Sequence, residues 1–403
     1  MTQPHLDPSF ERNPYRPGVG LTPPYLAGRE GEEARFRHVL AGAPEIPANV
    51  RLFGLRGVGK TVLLKRFQEI AESGQWATIN LEIQPSHNNE ARLLAAVDSQ
   101  VKNLELRLST AARIRDRAES LFTSARQMFT VSYEGVEWSL AGDLDSKSRE
   151  LGELLLAAAE MAQKNHRLGL VVLLDEAQLL TDDKSPGGQH TLSALVAAVS
   201  TLQKVAAPVV LVLCGLPTLA VNLLNARTYT ERMFQGFEVG SLPAQAARDA
   251  FTKPLAASAI SASEEATSGV MDDVSGYPYF IQLWGAELWD ATKDAGLSRI
   301  TTATLEEVRI RILARLDQDF YEPRIASLTP AEQDLLLESS RCSYPPLIVS
   351  ELNGQSIKSP GNVNVLLGRL VNENVLYRLR KGQYEYTAPG FLDFLVRRAA
   401  KLQ

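Results

Sequence analysis

Residues 54–61 read Gly54-Leu55-Arg56-Gly57-Val58-Gly59-Lys60-Thr61, and this motif points to one class of fold. It fits the pattern GxxxxGK followed by Ser or Thr, and it lies between a short apolar run at residues 49–53 and an amphipathic run at residues 61–72. Glycines let the backbone wrap around a phosphate with its N–H groups pointing inward, and the start of a helix offers its positive end to an anion. The pattern therefore predicts a phosphate-binding loop, formed by all eight residues, between a strand and a helix.

The last two residues of this loop indicate the phosphate compound. We expect Lys60 to reach the β- and γ-phosphates of a nucleotide and Thr61 to place its hydroxyl on Mg²⁺. The predicted ligands are therefore ATP or ADP together with Mg²⁺.

A second motif, Leu170-Val171-Val172-Leu173-Leu174-Asp175-Glu176, ends an apolar run in two carboxylates. In open α/β sheets, ligands bind at the carboxyl ends of the strands, which is where a buried strand would deliver this acidic pair. We expect Asp175 to hold the Mg²⁺ shell and Glu176 to polarise the attacking water. Phosphoryl transfer needs chiefly positioning and charge neutralisation, so these side chains and the loop amides predict ATP hydrolysis.

Strand-like and helical segments alternate over the first part of the chain, which predicts an α/β fold with a parallel sheet and helices on both faces. The predicted strands lie at residues 49–53, 76–83, 169–174 and 208–214. Between the second and third of them, an insertion at about residues 85–168 holds helical stretches around a predicted hairpin at residues 129–140.

The patterns divide the chain into four regions. Residues 1–25 carry six prolines and predict an extended arm. Residues 26–242 hold the nucleotide-binding core and residues 243–326 a small helical domain. Residues 327–403 show three helices followed by two strands, the order of a winged helix-turn-helix domain.

Two helix starts in the last regions carry the signature of a capping box, a Ser or Thr followed three residues later by Glu or Gln. Thr304 with Glu307 predicts the start of a helix over residues 304–320. Thr329 with Glu332, separated by a proline at the first helical position, predicts the first helix of the last domain.

Composition sets limits on the class of protein. The chain has 42 Lys and Arg against 47 Asp and Glu, a net charge of −5, which argues against a protein whose whole surface coats nucleic acid. Cys214 and Cys342 lie in unrelated segments, so no disulfide framework or zinc site is indicated. The longest apolar run, residues 205–216, is too short to span a bilayer. We expect a multi-domain cytoplasmic protein that does not interact with membranes.

Hydrolysis usually also needs a positive charge that stabilises the γ-phosphate in the transition state. Arg227 and Arg232 follow the strand at residues 208–214 and a helix, on a segment expected near the nucleotide edge of the sheet. We favour Arg232, acting from a neighbouring subunit. The alternative is a surface arginine paired with Glu231 or Glu238.

With these motifs in order, the chain resembles the AAA+-type P-loop ATPases, in the branch shared by origin-recognition initiator ATPases and the STAND signal-transduction ATPases. Leu26-Ala27-Gly28-Arg29-Glu30-Gly31-Glu32 matches a signature that lines the adenine side in this branch, which assigns Gly28 and Arg29 to the nucleotide site. Gly276-Tyr277-Pro278 matches the motif with which the helical domain, as a lid, closes over the nucleotide. The resemblance covers residues 26–403 and includes the winged helix.

The sequence departs from the family pattern at two places. Where many relatives have a polar sensor residue after the fourth strand, this chain has Cys214-Gly215-Leu216-Pro217. Where initiator ATPases usually carry a lid arginine, residues 277–280 contain none. We therefore expect slow turnover or a long-lived nucleotide-bound state.

The predicted winged helix leaves the partner open. Its recognition helix, residues 361–373, is nearly neutral, whereas Arg378, Arg380 and Lys381 make the wing basic. Because phosphate contacts supply most of the affinity for DNA, the wing predicts DNA contact, with a protein contact or packing on the core as the alternatives.

Three functions agree with these features. The first is an ATP-dependent homo-oligomer that engages DNA or a DNA-bound partner through the winged helix. The second is a STAND-like switch, in which ADP clamps the lid and exchange for ATP releases the winged helix towards a protein partner. The third is an ATPase subunit that regulates a separate effector.

Overall fold

The structure, a computed structural model, describes residues 12–18, 20–46, 49–119, 146–183, 185 and 187–402. The predicted hairpin at residues 129–140 lies outside these ranges. The described residues divide into two compact units. We call Gly31–Phe53 with Leu63–Glu238 the sheet unit, and the described residues up to Glu30 with Gly54–Val62 and those from Val239 onward the helical unit.

The sheet unit is built around five strands joined by helices. In chain order its elements are α1 (Glu30–Gly42), β1 (Asn49–Phe53), α2 (Lys60–Ser73), β2 (Ala77–Glu82), α3 (Glu90–Glu119), α4 (Ser146–Lys164), β3 (Leu170–Asp175), α5 (Thr191–Lys204), β4 (Val209–Gly215), α6 (Thr218–Ala226), α7 (Thr230–Met233) and β5 (Phe234–Glu238). α1 and α2 begin with residues that belong to the helical unit.

The five strands form one sheet in the order β2-β3-β4-β1-β5, and all four pairs are parallel. This confirms the predicted α/β fold with a parallel sheet. Every residue of β3 and β4 is buried, as expected for central strands of a parallel sheet. Side chains of α3, α4, α5 and α6 share a hydrophobic cluster with alternate residues of β2, β3 and β4. On α1 and α2, Phe36 stacks on Phe67, which meets Phe237 of β5 edge to face.

β5 is a strand that the sequence analysis did not predict. It is five residues long, contains Gly236 and, among the described strands, pairs with β1 alone at the edge of the sheet. Its two buried residues, Phe234 and Phe237, lie on opposite faces, so β5 shows neither the continuous apolar run of the central strands nor a regular alternation.

The helical unit contains the remaining elements. They are α8 (Ala244–Ala256), β6 (Ser261–Ala262), α9 (Glu264–Val274), α10 (Pro278–Asp294), β7 (Arg299–Ile300), α11 (Thr302–Arg315), α12 (Glu322–Ala326), α13 (Pro330–Ser339), β8 (Leu347–Ile348), α14 (Val349–Gln355), α15 (Pro360–Asn372), β9 (Leu376–Arg380), β10 (Gln383–Tyr386) and α16 (Phe391–Leu402). β6 pairs with β7, and β8, β10 and β9 form a three-stranded antiparallel sheet. No helix within the described ranges is long and apolar enough to cross a membrane.

The two predicted helix starts have different outcomes. Thr329 and Glu332 form the predicted capping box at α13. The box predicted at Thr304 is wrong, because α11 begins at Thr302 and its N-cap is Thr301, whose side chain accepts a hydrogen bond from Thr304 N. Thr301 follows β7 directly and has an extended backbone, which places the cap three residues earlier.

The described part of the N-terminal arm packs on α10 within the helical unit through Asn13 and Tyr15. Tyr15 is buried, and its hydroxyl donates to Phe251 O. The side chain of Asn13 donates to Ala286 O at 3.0 Å. The ring of Tyr15 lies directly over Gly285, where the absence of a side chain on α10 leaves room for it.

Candidate functional site

The loop after β1 has the backbone shape expected of a phosphate-binding loop. Gly57 and Gly59 have φ angles of +80° and +89°, which residues other than glycine rarely adopt. A Cβ at Gly54 would overlap the carbonyl oxygen of Val239. Lys60 Nζ donates to Leu55 O at 2.7 Å, so the ammonium lies against the loop's own backbone. Main-chain N–H groups, an ammonium and the Thr61 hydroxyl form a donor set that fits a chain of phosphates.

Tyr277 and Tyr279, at the start of α10, contact this loop within the helical unit. The Tyr277 hydroxyl donates to Arg56 O at 2.7 Å, and Tyr279 N donates to Gly57 O at 3.2 Å. Tyr277 is buried, and burial raises the pKa of its hydroxyl. Pro278 is the first residue of α10. The central residue of the motif Gly276-Tyr277-Pro278, which the sequence assigned to nucleotide closure, is therefore bonded to the phosphate loop.

Gly28 and Arg29 also lie next to the loop. Arg29 is 5% exposed, and its guanidinium donates to Val58 O at 3.0 Å and to Gly240 O at 2.7 Å. Gly28 has a φ of +64°, and a Cβ there would lie 2.7 Å from Ala246 Cβ. Arg29 thus connects the main chain of the loop, at Val58, to the main chain at Gly240.

The C-terminal part of the helical unit reaches the loop as well. Thr387, which follows β10, accepts a hydrogen bond through its carbonyl oxygen from Arg56 N at 3.3 Å. One main-chain donor of the loop is therefore bonded to the segment that the sequence assigned to the winged helix.

The acidic pair lies at the carboxyl end of β3 in the sheet unit. Asp175 is 8% exposed, and its Oδ1 accepts from Glu176 N at 2.9 Å. Glu176 is half-buried and has a φ of +53°, a strained conformation for a residue with a side chain. Because β3, β4 and β1 are parallel neighbours, β3 delivers both carboxylates at the edge where β1 ends at Phe53.

Gln178 is a site residue that the sequence analysis did not identify. It lies in a 3₁₀ turn, Ala177–Leu179, and its Nε2 donates to Glu176 Oε2 at 2.5 Å. Its Oε1 accepts from Leu216 N at 3.1 Å, just beyond β4. The only signal in the sequence was its place two residues after Glu176.

Arg324 is a second residue that was not predicted. Its guanidinium lies 4.0 Å from the centroid of the Phe320 ring, and Phe320 stacks on Tyr279 with 5.7 Å between centroids. Burial, together with the positive charge of Arg56 in the loop, lowers the pKa of Arg324 to about 10. Within the described ranges, no carboxylate lies within 4 Å of Arg56 or Arg324.

Arg227 and Arg232 are both exposed on the sheet unit, around α7. In the part of the chain that the structure describes, neither forms an ion pair, so the alternative pairing of Arg232 with Glu231 or Glu238 is absent there. On the neighbouring α6, Val221 and Leu224 are exposed. This surface combines two unpaired arginines with apolar side chains.

The C-terminal segment exposes both charged and apolar side chains. Arg378 and Arg380 on β9 and Lys381 in the turn after it are exposed. Val365 on α15 is 56% exposed and Leu379 on β9 is 47% exposed. This surface is therefore not uniformly basic.

Comparisons with known proteins agree with this architecture. Residues 25–212 match the family model described as AAA ATPase domain. A Walker-type ATPase of Pyrococcus abyssi is similar in structure, with 18% identity, a TM-score of 0.55, and coverage of 92% of this chain and 96% of that one. The Aeropyrum pernix ORC2 protein in its ADP form has 12% identity, a TM-score of 0.52, and coverage of 96% and 97%. No curated protein sequence matches the chain significantly. The predicted P-loop NTPase fold is confirmed.

Proposed function

We propose that the protein binds ATP with Mg²⁺ and hydrolyses it slowly to ADP and phosphate. The observation that carries this proposal is the glycine-shaped loop of residues 54–61, which directly follows β1 of a parallel sheet. Two strands away, β3 ends in Asp175 and Glu176 at the same edge of that sheet. The match of residues 25–212 to an AAA ATPase domain supports it.

Each residue has a role set by its chemistry. The loop amides and Lys60 bind the phosphates, while Thr61 and Asp175 supply oxygen ligands to Mg²⁺. When bound, Mg²⁺ neutralises the charge that develops on the phosphates. Glu176 accepts the proton of the attacking water, because an ionised carboxylate next to that water is a suitable general base.

We propose that the helical segment 243–326 acts as a lid. Tyr277 and Pro278 close it over the nucleotide, and Gly28 and Arg29 flank the nucleotide from the other side. The hydrogen bond from the Tyr277 hydroxyl to Arg56 O supports this role, because it attaches the start of α10 to the loop. Opening of the lid would limit turnover, which agrees with slow hydrolysis.

Two substitutions test the hydrolytic site. Lys60→Ala should abolish binding of ATP and ADP, measured by titration calorimetry, whereas Glu176→Gln should keep ATP bound and lose phosphate release. Lys102→Ala, an exposed lysine on α3, is the matched control and should bind and hydrolyse like the parent. Unchanged hydrolysis in Glu176→Gln would remove the assignment of Glu176.

We further propose that ATP orders subunits into a homo-oligomer in which Arg232 completes the site of a neighbour. Its exposure and the absence of a carboxylate partner in the described part of the chain support this. Mixing Arg232→Ala subunits with Lys60→Ala subunits should restore part of the activity, since a site is complete wherever an Arg232→Ala subunit supplies Lys60 and its Lys60→Ala neighbour supplies Arg232. Arg227→Ala in the same experiment identifies which arginine acts; no recovery with either one would exclude a shared site.

We propose that the nucleotide state controls a C-terminal winged helix that engages DNA. The exposed Arg378, Arg380 and Lys381 support DNA contact. Retention on duplex DNA should weaken with salt and be lost when all three are changed to Ser. The exposed Val365 and Leu379 favour the second candidate, a STAND-like switch or regulatory subunit that contacts a protein. Retention on duplex DNA that does not change with salt, together with an ADP-bound monomer in solution, would support this second candidate.

A further inference from the structure

We propose that Gln178 is a positioning residue that holds the carboxylate of Glu176 for attack by water. This inference rests on the hydrolysis proposed above. Gln178 is 7% exposed, and both ends of its amide are engaged. Its Nε2 donates to Glu176 Oε2 at 2.5 Å, and its Oε1 accepts from Leu216 N at 3.1 Å.

These two bonds connect the ends of two central strands. Glu176 directly follows β3, and Leu216 directly follows β4. A glutamine amide is suited to this place because it offers a donor to the carboxylate and an acceptor to the main-chain N–H. The orientation of Glu176 is therefore coupled to the position of the β4 terminus.

Gly215 provides the space for this arrangement. A Cβ at Gly215 would lie 2.5 Å from Gln178 Oε1 and 3.1 Å from its main-chain nitrogen. The segment Cys214-Gly215-Leu216-Pro217, at the end of β4 and just after it, thus provides room and a main-chain N–H but no side chain with an amide, hydroxyl or charged group. The polar group that this strand end lacks is supplied by Gln178, from the turn after β3.

The hydrogen bond gives Glu176 a defined direction. Its backbone is already in the left-handed region, so the side chain leaves the strand at an angle that the backbone fixes. Gln178 then engages Oε2, and Oε1 is left to accept from the attacking water. A carboxylate that could rotate freely would lose part of the benefit of preorganisation.

Two substitutions separate the donor from the acceptor. Gln178→Met removes both hydrogen bonds at nearly constant volume. Gln178→Glu keeps an acceptor for Leu216 N but replaces the donor to Glu176 by a carboxylate. Loss of one hydrogen bond to a charged group should lower kcat roughly tenfold to a hundredfold in both variants. KM for ATP and affinity for ADP should stay within about twofold, because both hydrogen bonds of the Gln178 side chain are made to Glu176 and Leu216 within the sheet unit.

Gln282→Met is the matched control. This glutamine is also about nine-tenths buried and accepts a main-chain N–H, from Arg16, but in the helical unit. It should hydrolyse ATP like the parent. A parent-like kcat in Gln178→Met with an unchanged thermal midpoint would overturn the inference; if that variant does not fold, a parent-like kcat in Gln178→Glu would do so. Failure of the proposed function gives a different result. In that case the Lys60→Ala variant would hydrolyse ATP at the same rate as the parent.

An independent observation concerns Arg324, and we infer that it binds the phosphates of the nucleotide together with Arg56. This also rests on the proposed nucleotide binding. Arg324 is placed by a stack of rings that leads to the loop: the guanidinium lies over Phe320, and Phe320 stacks on Tyr279, whose main-chain nitrogen bonds Gly57 O.

The charges around Arg324 are unbalanced. Arg56 is the neighbouring charge that acts on it most strongly, and within the described ranges neither arginine has a carboxylate within 4 Å. A second positive charge that lowers the pKa of a half-buried arginine is unfavourable unless an anion binds to both. A phosphate chain bound by the adjoining loop is such an anion.

Nucleotide affinity tests this assignment. Arg324→Gln should weaken binding of ADP and of a non-hydrolysable ATP analogue roughly tenfold or more, and Arg324→Lys should restore part of it. Arg311→Gln, which changes an exposed arginine of α11, is the control and should bind like the parent. Parent-like affinity of Arg324→Gln for both nucleotides, while Lys60→Ala binds neither, would overturn the inference and leave the proposed function intact.

Discussion

Replacing Gly285 by alanine tests how the N-terminal arm packs on α10. A Cβ at this position would lie 2.6 Å from Tyr15 Cζ and closer still to Cδ1 and Cε1. These are atoms of a rigid ring, and Tyr15 is only 4% exposed, so it cannot rotate away within its site. The arm must move outward, and the hydrogen bond from the Tyr15 hydroxyl to Phe251 O is then lost.

Two opposing terms determine the expected magnitude. Alanine in the middle of a helix is normally more stable than glycine by about 0.5–1 kcal/mol. Exposing an aromatic side chain of about 150 Å² costs at most about 4 kcal/mol at roughly 25 cal/mol per Å². Because a partial outward shift exposes only part of the ring, we expect a net loss of about 1–3 kcal/mol. The sign is therefore opposite to that expected from helix propensity alone.

Urea unfolding and limited proteolysis measure this effect. Gly368→Ala is the matched control, since Gly368 also lies within a helix, α15, and among the described residues no atom beyond its own helix backbone and chain neighbours lies within 4 Å of the added Cβ. The control should raise the unfolding midpoint slightly, whereas Gly285→Ala should lower it and expose residues 12–25 to protease. An equal gain in both variants, with unchanged protection of the arm, would refute the described packing of Tyr15.

Three further substitutions have defined outcomes. Gly54→Ala should cost more than about 2 kcal/mol and abolish nucleotide binding, because its Cβ overlaps the carbonyl oxygen of Val239; calorimetry checks both. Thr329→Ala should lower the thermal midpoint through loss of a helix cap, at a cost of about 1 kcal/mol. Tyr277→Phe should cost about 1 kcal/mol at neutral pH, since it removes the bond to Arg56 O. Burial raises the pKa of Tyr277 in the folded state, so its contribution to stability holds below about pH 10 and is lost as the pH rises further. Unfolding at several alkaline pH values should therefore show the difference between parent and variant shrinking.

The parts of the fold that could be predicted from sequence are those with a local physical cause. β3 and β4 are continuous apolar runs because both faces are covered, and the cap at Thr329 depends only on its neighbours in sequence. β5 could not be predicted, because it depends on pairing with β1, far away in the chain. The cap at Thr301 was missed because the preceding two-residue strand, β7, exists only through its pairing with β6.

The same division holds for the candidate site. The phosphate loop and the acidic pair are contiguous motifs, so their residues could be read directly. Gln178 and Arg324 could not be assigned, because the first depends on Leu216 after another strand and the second on the rings of Phe320 and Tyr279. An amide or an arginine in a sequence does not reveal which distant main-chain group or ring it will meet.

The division of the chain has a consequence for protein synthesis on the ribosome. The sheet unit is complete once Glu238 has been made, whereas the loop of Gly54–Val62 belongs to a unit whose other contacts lie mainly after Val239. During translation the five strands can pair early. Arg56 and Gly57 can form their hydrogen bonds only later, because the partners, Tyr277, Tyr279 and Thr387, are made afterwards. A nascent chain stalled before α10 would thus carry an assembled sheet with an unsupported loop. The phosphate loop would then reach the form that we propose binds the nucleotide only near the end of synthesis.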